Sequence, residues 1–267
     1  MDEEAEVLRG GVGNAGAVLR VGGHVLRPTN PHTGSIHALL AHVRAAGFDG
    51  VPEVIGIEPD GRERLGFIEG DVPIPPFPEW SQSDAVLAST AGLLRRFHDA
   101  TSGFVAPVGA TWSDELADPA PGDDPVLCHN DVCPENVVFR HGEAVALLDF
   151  DFAAPGRRVF DVASMARMCV PVETDGDATR TGRSGLDPMA RLRVVAEAYG
   201  LGDGDRIELV EVLERQFDQG GAFVRRRVEA GEPAFVEMWE AMGGQERMDR
   251  RRRWFTANRQ RFIDALA

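Results

Sequence analysis

The stretch VLCHNDVCPENVVFRHGEAVALLDFDF, residues 126–152, decides the fold. Within it, VVF and AVALL flank RHGE, and His141-Gly142 suits a tight two-residue turn, so the pattern predicts an antiparallel hairpin. Asn136 lies just before the first strand and Asp149 just after the second, nearly symmetrical about the turn, so pairing sets them side by side. Directly opposite residues have Cβ atoms about 5 Å apart, close enough for an amide oxygen and a carboxylate to share a cation. Magnesium suits such a pair, because it takes one or two protein oxygens and leaves its other positions to phosphates and water. Asp131, in the loop entering the hairpin, is placed to accept the proton of an attacking hydroxyl, and His129 orients that loop by hydrogen bonding. Asp151 points the same way as Asp149 in extended chain, and either joins the cation site or pairs with Arg157 or Arg158. Cys128, His129, Cys133 and His141 match no closed four-ligand zinc spacing.

Nearer the N-terminus, GGVGNAGAV (10–18) contains Gly11, Gly13 and Gly16 as G-x-G-x-x-G, a turn whose backbone amides can cradle phosphates because no Cβ blocks their approach. A dinucleotide-binding unit would need a helix after these glycines and an acidic residue about 20 positions on. Instead the strand-like AVLRV follows directly, and no Asp or Glu occurs between Glu6 and Asp49. HVLRP (24–28) reads as the next strand, and PEVIGIEPDGRERLGFIEG (52–70) as two strands about an Asp60-Gly61 turn. Between them, Ile36, Leu39, Leu40 and Val43 follow the i, i+3, i+4, i+7 spacing of a helix that Gly47 can end.

DVPIPPFP (71–78) is stiff and proline-rich and divides the chain. After it, Val86, Leu87, Thr90, Leu93, Leu94 and Phe97 mark one face of a helix, and further helices run from about Pro188 to the end, through MARLRVVAEAYG and RIELVEVLERQF. PVETDGDATRTGRSGLDP (171–188) reads as a polar connection. The expected architecture is α+β, with a small antiparallel-sheet lobe carrying one helix (residues 1–70) and a larger, mostly helical lobe (71–267).

Composition narrows the partners. The net charge of −15 opposes a nucleic-acid partner, which would need a basic stripe; cationic substrates would be attracted, and Asp114, Glu115, Asp118, Asp123 and Asp124 could meet one. All 28 basic residues counted as Lys+Arg are arginines. The acidic start MDEEAEVLRG and the absence of an 18-residue apolar run point to the cytoplasm, with no membrane span. Three cysteines without a C-x-x-C pair fit reduced thiols.

These motifs together resemble the aminoglycoside phosphotransferase family of small-molecule kinases, relatives of choline kinases with a bilobal protein-kinase-like fold. CHNDVCPENVVF resembles the family's His-Gly-Asp-x4-Asn loop, LLDFDFAAPGRRVFDVA its Ile-Asp-Trp segment with a later Asp at a helix start, and LLRRFHDA its Leu-x-x-x-His helix end. The resemblance implies ATP and Mg2+ as cofactors and a hydroxyl on a small molecule as acceptor. It implies Asp131 as catalytic base, Asn136 and Asp149 as metal ligands, and Asp161 as a helix cap. It also implies that backbone groups of Gly66 and Ile68 in LGFIEG read the adenine edge. The family's phosphate-binding lysine falls at Arg27, and its partner glutamate falls near Ile36 or His37, so the usual ion pair is absent. Arginine can bind phosphate bidentately with a permanent charge, and His37, His42 or Asn30 are candidates to position it. Loss of that pair leaves a second expectation, a catalytically silent nucleotide-binding module.

Overall fold

The computed structural model describes residues 5–8, 13 and 16–267. Its first part is a five-stranded antiparallel sheet in the order β1-β2-β3-β5-β4, formed by β1 (Ala5–Val7), β2 (Leu19–Val21), β3 (His24–Pro28), β4 (Val54–Ile57) and β5 (Arg62–Gly66). β1 and β2 pair directly and antiparallel, as the strand after the glycines required. α1 (Thr33–Ala45) crosses between β3 and β4, burying Ile36, Leu39, Leu40 and Val43. It ends at Gly47, whose φ of +88° is the left-handed conformation glycine adopts without strain.

The second part is mostly helical. α2 (Asp84–Ala100) starts at Ser83, whose hydroxyl accepts the Val86 N–H, and it buries all six apolar-face residues expected from the spacing. β6 (Val126–Cys128) is followed by the hairpin β7 (Val137–Arg140) and β8 (Glu143–Leu147), then β9 (Ala154–Gly156), which pairs with β6. Next come α3 (Arg158–Cys169), the short α4 (Asp175–Arg180), α5 (Pro188–Tyr199), α6 (Asp203–Glu229), α7 (Pro233–Met242) and α8 (Gly244–Leu266). α4 lies inside the segment read as a polar connection. There Thr174 caps it by accepting the Asp177 N–H, a local signal that the apolar periodicity did not carry.

The proline-rich segment after β5 is strapped down. Asp71 and Phe139 exchange two backbone hydrogen bonds of 2.8 Å, and the Phe77 N–H reaches the Thr181 carbonyl at 2.9 Å. Gly70, just before this strap, has φ +150°, and a Cβ there would meet the Phe139 carbonyl at 2.6 Å. The apolar face of α1 joins Leu93, Leu94 and Phe97 of α2 and Val137 and Leu147 of the hairpin in one core. That core fixes the hairpin ends, where the candidate site sits. Among the described residues no helix is long and apolar enough to cross a membrane.

Candidate active site

The hairpin forms as the sequence predicts. His141 (φ +52°) and Gly142 (φ +79°) make the turn with both central residues left-handed, the arrangement that matches strand twist. Val137 pairs with Leu147, and the Leu148 N–H donates to the Asn136 carbonyl at 2.8 Å. The register therefore carries Asn136 and Asp149 to the same end of the ladder. Asn136 donates its amide to the Asp131 backbone carbonyl (2.9 Å) and to Asp131 Oδ2 (3.2 Å), which commits its nitrogen and leaves Oδ1 as its free-facing donor to a cation. Asp149 sits in a left-handed conformation (φ +62°), which turns its carboxylate out of the strand direction and toward the loop.

Asp131 is held in a charged but poorly solvated position. Burial, then the Asp149 carboxylate, push its carboxyl up to about 7, while Arg167 pulls the other way. Two carboxylates beside an amide oxygen form a hard-oxygen donor set suited to magnesium.

The loop is positioned by buried polar groups. His129 is fully buried; its Nε2 donates to the Leu148 carbonyl (2.8 Å) and its Nδ1 accepts the Asp131 N–H (3.3 Å). Burial lowers the imidazole pKa, so it stays neutral and serves both bonds. Asn130, at the place of the family's glycine, has φ +66°, tolerable because Asn is among the residues most able to adopt it. The Asn130 side chain donates to the Phe152 carbonyl at 2.9 Å, tying the loop to the segment after Asp149.

Asp161 is not a helix cap. It lies within the first turn of α3, fully buried, and its carboxylate accepts the backbone N–H groups of His129 (2.6 Å) and Asn130 (2.8 Å). His98 Nε2 approaches the same carboxylate at 2.9 Å, and His98 Nδ1 meets the Tyr199 hydroxyl at 2.6 Å. Although burial pushes its carboxyl up, these bonds outweigh it and leave the pKa lowered. Asp161 thus anchors the loop that carries Asp131.

Arg27 lies on β3, 7% exposed, among three carboxylates. Its Nη1 is 3.1 Å from Asp149 Oδ1, Nη2 pairs with Asp151, and Nε is 3.2 Å from Glu63 Oε1, an ion-pair distance without hydrogen-bond alignment. Burial disfavours its charge, but Asp149, Asp151 and Glu63 more than offset that and raise its pKa. The acid missing from α1 is therefore supplied by β5, where Glu63 pairs directly with Arg27 in register. His37 Nε2 holds the other Glu63 oxygen at 2.7 Å, and Asn30 donates to Asp151 at 2.9 Å, whereas His42 turns away to the Ser102 carbonyl. The Asp60-Gly61 turn sets Glu63 opposite Ile57 of β4, so no local signal marked its pairing with Arg27 across β3 and β5.

The remaining expected residues are placed less tightly. Gly13 is exposed and lines the cavity that also contains Asp131 and Asp149; Gly16 is exposed with φ +77°; Gly11 lies outside the described residues. Gly66 donates its N–H to the Glu53 carbonyl (2.8 Å), so only its carbonyl could meet a base. Among the acidic residues upstream of the loop, Asp118 is buried against Arg157 and Glu115 pairs with Arg227 at 2.5 Å. Asp114 lines the cavity, while Asp123 and Asp124 are exposed. The cavity measures about 1130 Å3.

Comparison with known proteins fits this geometry. The profile of the Phosphotransferase enzyme family matches residues 105–195, a span containing the loop, the hairpin and α3. The trifolitoxin immunity protein of Rhizobium leguminosarum bv. trifolii is 33% identical over 204 residues, 75% of this chain and 77% of the relative. The chain belongs to the phosphotransferase enzyme family. Its fold is shared with a choline/ethanolamine kinase family protein from Mesorhizobium loti (TM-score 0.63, 17% identity, 98% of this chain and 92% of that one). It is shared also with APH(2")-IIa in a ternary complex with streptomycin and ATP (TM-score 0.54, 13% identity, 88% and 90%). The bilobal protein-kinase-like α+β fold of this family is thus the fold of this chain.

Proposed function

We propose that this phosphotransferase is a cytoplasmic ATP-dependent kinase that moves the γ-phosphoryl group to a hydroxyl of a small molecule. The observation that carries the reading is the convergence of Asp131, Asn136 and Asp149 at the open end of one hairpin. In this reading residues 1–70 form the nucleotide lobe and 71–267 the catalytic and acceptor lobe. The carbonyl of Gly66 and the N–H of Ile68 face the base, and the turn at Gly11, Gly13 and Gly16 covers the phosphates. Asn136 Oδ1 and the Asp149 carboxylate would hold Mg2+, which supplies charge neutralisation on the phosphates. Asp131 accepts the acceptor's proton, and Asn136 fixes its carboxylate. Arg27 serves the phosphates from the lysine's position.

Transfer is tested by ADP release with ATP, Mg2+ and a panel of hydroxylated metabolites and antibiotics. Asp131→Asn should lower kcat by a factor of about 100 or more, the usual weight of a general base. Turnover indifferent to that substitution rules the assignment out.

One contact favours the second reading, a silent nucleotide-binding module: Arg27 bonds to Asp149, the residue needed for the metal. Nucleotide binding without Asp131-dependent turnover on any member of the panel supports that alternative. The relative's name concerns immunity to a toxin, and capping a toxin hydroxyl with phosphate or sequestering the toxin would each serve it.

A further inference from the structure

Beyond Asp131 the cavity wall is built of guanidinium groups. Arg167 on α3, Arg183 after α4, and Arg247 and Arg251 on α8 all line it. Glu173, 3% exposed, takes Arg247 at 2.6 Å and lies 3.7 Å from Arg183. Among the described residues, Arg251 donates only to the backbone carbonyls of Val172 (2.9 Å) and Arg167 (2.6 Å). Two further carboxylates face the group, Glu135 toward Arg183 and Asp131 toward Arg167, neither within ion-pair distance. Asp177, near Arg247 at 3.9 Å, is engaged by Arg250 at 2.8 Å.

Arg167 stands out because, among the described residues, its side chain forms no hydrogen bond or ion pair, and its Nε is sealed from solvent without a partner. A buried unpaired donor on a cation is costly. The fold makes room for it deliberately. Gly220, in the middle of α6, lies beneath the guanidinium, and a Cβ there would meet Nη1 at 2.9 Å and Cζ at 3.0 Å. A mid-helix glycine is less favourable than alanine, so α6 gives up stability for this space. In a chain of net charge −15, an arginine kept unpaired beside the catalytic carboxylate calls for an anion from outside.

We infer that the acceptor is a hydroxy acid: its hydroxyl lies at Asp131, its carboxylate is gripped by Arg167 with Arg251 behind, and its apolar body packs on Phe152, Phe217 and Phe223. The guanidinium fork matches a carboxylate bidentately. The aromatic wall that carries the body also holds Arg251, whose Cζ lies 4.7 Å over the Phe217 ring. The inference rests on the phosphotransferase reading only for the place of the hydroxyl.

The test is calorimetric titration without nucleotide, using 3-phenyllactate, its primary amide, and the cationic amino alcohol phenylalaninol. Wild-type protein should bind the acid at least 10-fold tighter than the amide, with the amino alcohol weakest. R167Q should bring acid and amide within about 2-fold of each other, while D131N keeps the preference. If R167Q does not fold by circular dichroism, R167K takes its place, and a preference reduced 3-fold or more supports the fork, since an ammonium cannot reproduce it. The inference is overturned by a wild type that does not bind phenyllactate or prefers the amide or the amino alcohol. It is equally overturned by an Arg167 variant that keeps the full preference, which would leave Arg167 as a counter-charge to Asp131. Because no ATP is present, acid selectivity can stand where ADP release fails. ADP release confined to uncharged or cationic acceptors would sink the selectivity and leave the transfer standing.

Discussion

Arg27 and Glu63 stand directly opposite each other on neighbouring strands, with Arg27 Nε 3.2 Å from Glu63 Oε1. The pairing replaces an ion pair reaching from a helix with one built into the sheet. It also draws Asp149 and Asp151 to the same guanidinium. Removing Arg27 leaves three carboxylates facing one another in a poorly solvated place. Arg27→Met should therefore lower unfolding stability by about 3–5 kcal/mol in EDTA, the usual consequence of stranding buried charge. Millimolar Mg2+ should restore more stability to this variant than to wild type, since a cation gains the carboxylates that Arg27 releases. Urea denaturation with and without Mg2+ checks both; equal Mg2+ effects would mean that Arg27 and the cation do not compete.

His129 gives a pH signature. Its folded pKa is depressed by burial, so the unfolded chain binds the proton more readily. Stability from the neutral ring is present above the unfolded value of about 6.5 and is lost as pH falls from there toward the folded pKa. Glutamine can donate to Leu148 and accept from Asp131 without titrating. The stability advantage of wild type over His129→Gln should therefore shrink between pH 8 and pH 5, read from urea midpoints across that range. A difference independent of pH would show that the ring does not remain neutral.

Asp161 is the anchor whose loss should reach furthest. Asp161→Asn keeps the volume but replaces a carboxylate that accepts two backbone N–H groups and faces His98. Hydrogen bonds to charged groups contribute about 1.5–3 kcal/mol each, so the variant should lose at least 3 kcal/mol by chemical denaturation. Amide exchange at His129 and Asn130 should rise together, and a rise at only one would divide the roles of the two oxygens.

What the sequence made legible followed from local period and turn chemistry. Val86, Leu87, Thr90, Leu93, Leu94 and Phe97 could be read as a buried face because all six lie on one helix, and His141-Gly142 fixed the register that joins Asn136 to Asp149. Glu63 and Arg167 were missed for a shared reason. Each acquires its meaning from an element distant in sequence, Glu63 from the β3–β5 register and Arg167 from the notch at Gly220. The expectation for Asp161 failed for the same cause: its partners are 31 and 32 residues away rather than at its own helix start. The acidic run before the loop looked like one surface for a cationic acceptor, yet Asp118 and Glu115 are taken by Arg157 and Arg227.

Gly70 should resist even alanine. With φ at +150° and the Phe139 carbonyl 2.6 Å from any Cβ, Gly70→Ala must shift the backbone that leads into the Asp71–Phe139 strap. The expected loss is about 2–4 kcal/mol, combining strain and overpacking, seen as a lower thermal midpoint. Unchanged stability would show that the strap yields without cost.

Arg167 reverses the ordinary direction of such losses. Among the described residues its guanidinium finds no bonding partner, and Arg251 is brought down to about 9 by burial first and then by Arg167, Arg247 and Arg183, while Glu173 opposes. Arg251 remains charged at neutral pH, so the repulsion is present in the folded protein and relaxed in the unfolded chain. Arg167→Gln should remove it at the price of a distant counter-charge to Asp131, for a net gain of about 0.5–1 kcal/mol, the size commonly released when a functional site is made ordinary. Urea midpoints for wild type and variant decide it. A loss above about 1 kcal/mol would mark Arg167 as part of the structural framework, whereas a gain would mean that the fold bears its charge for something that binds there.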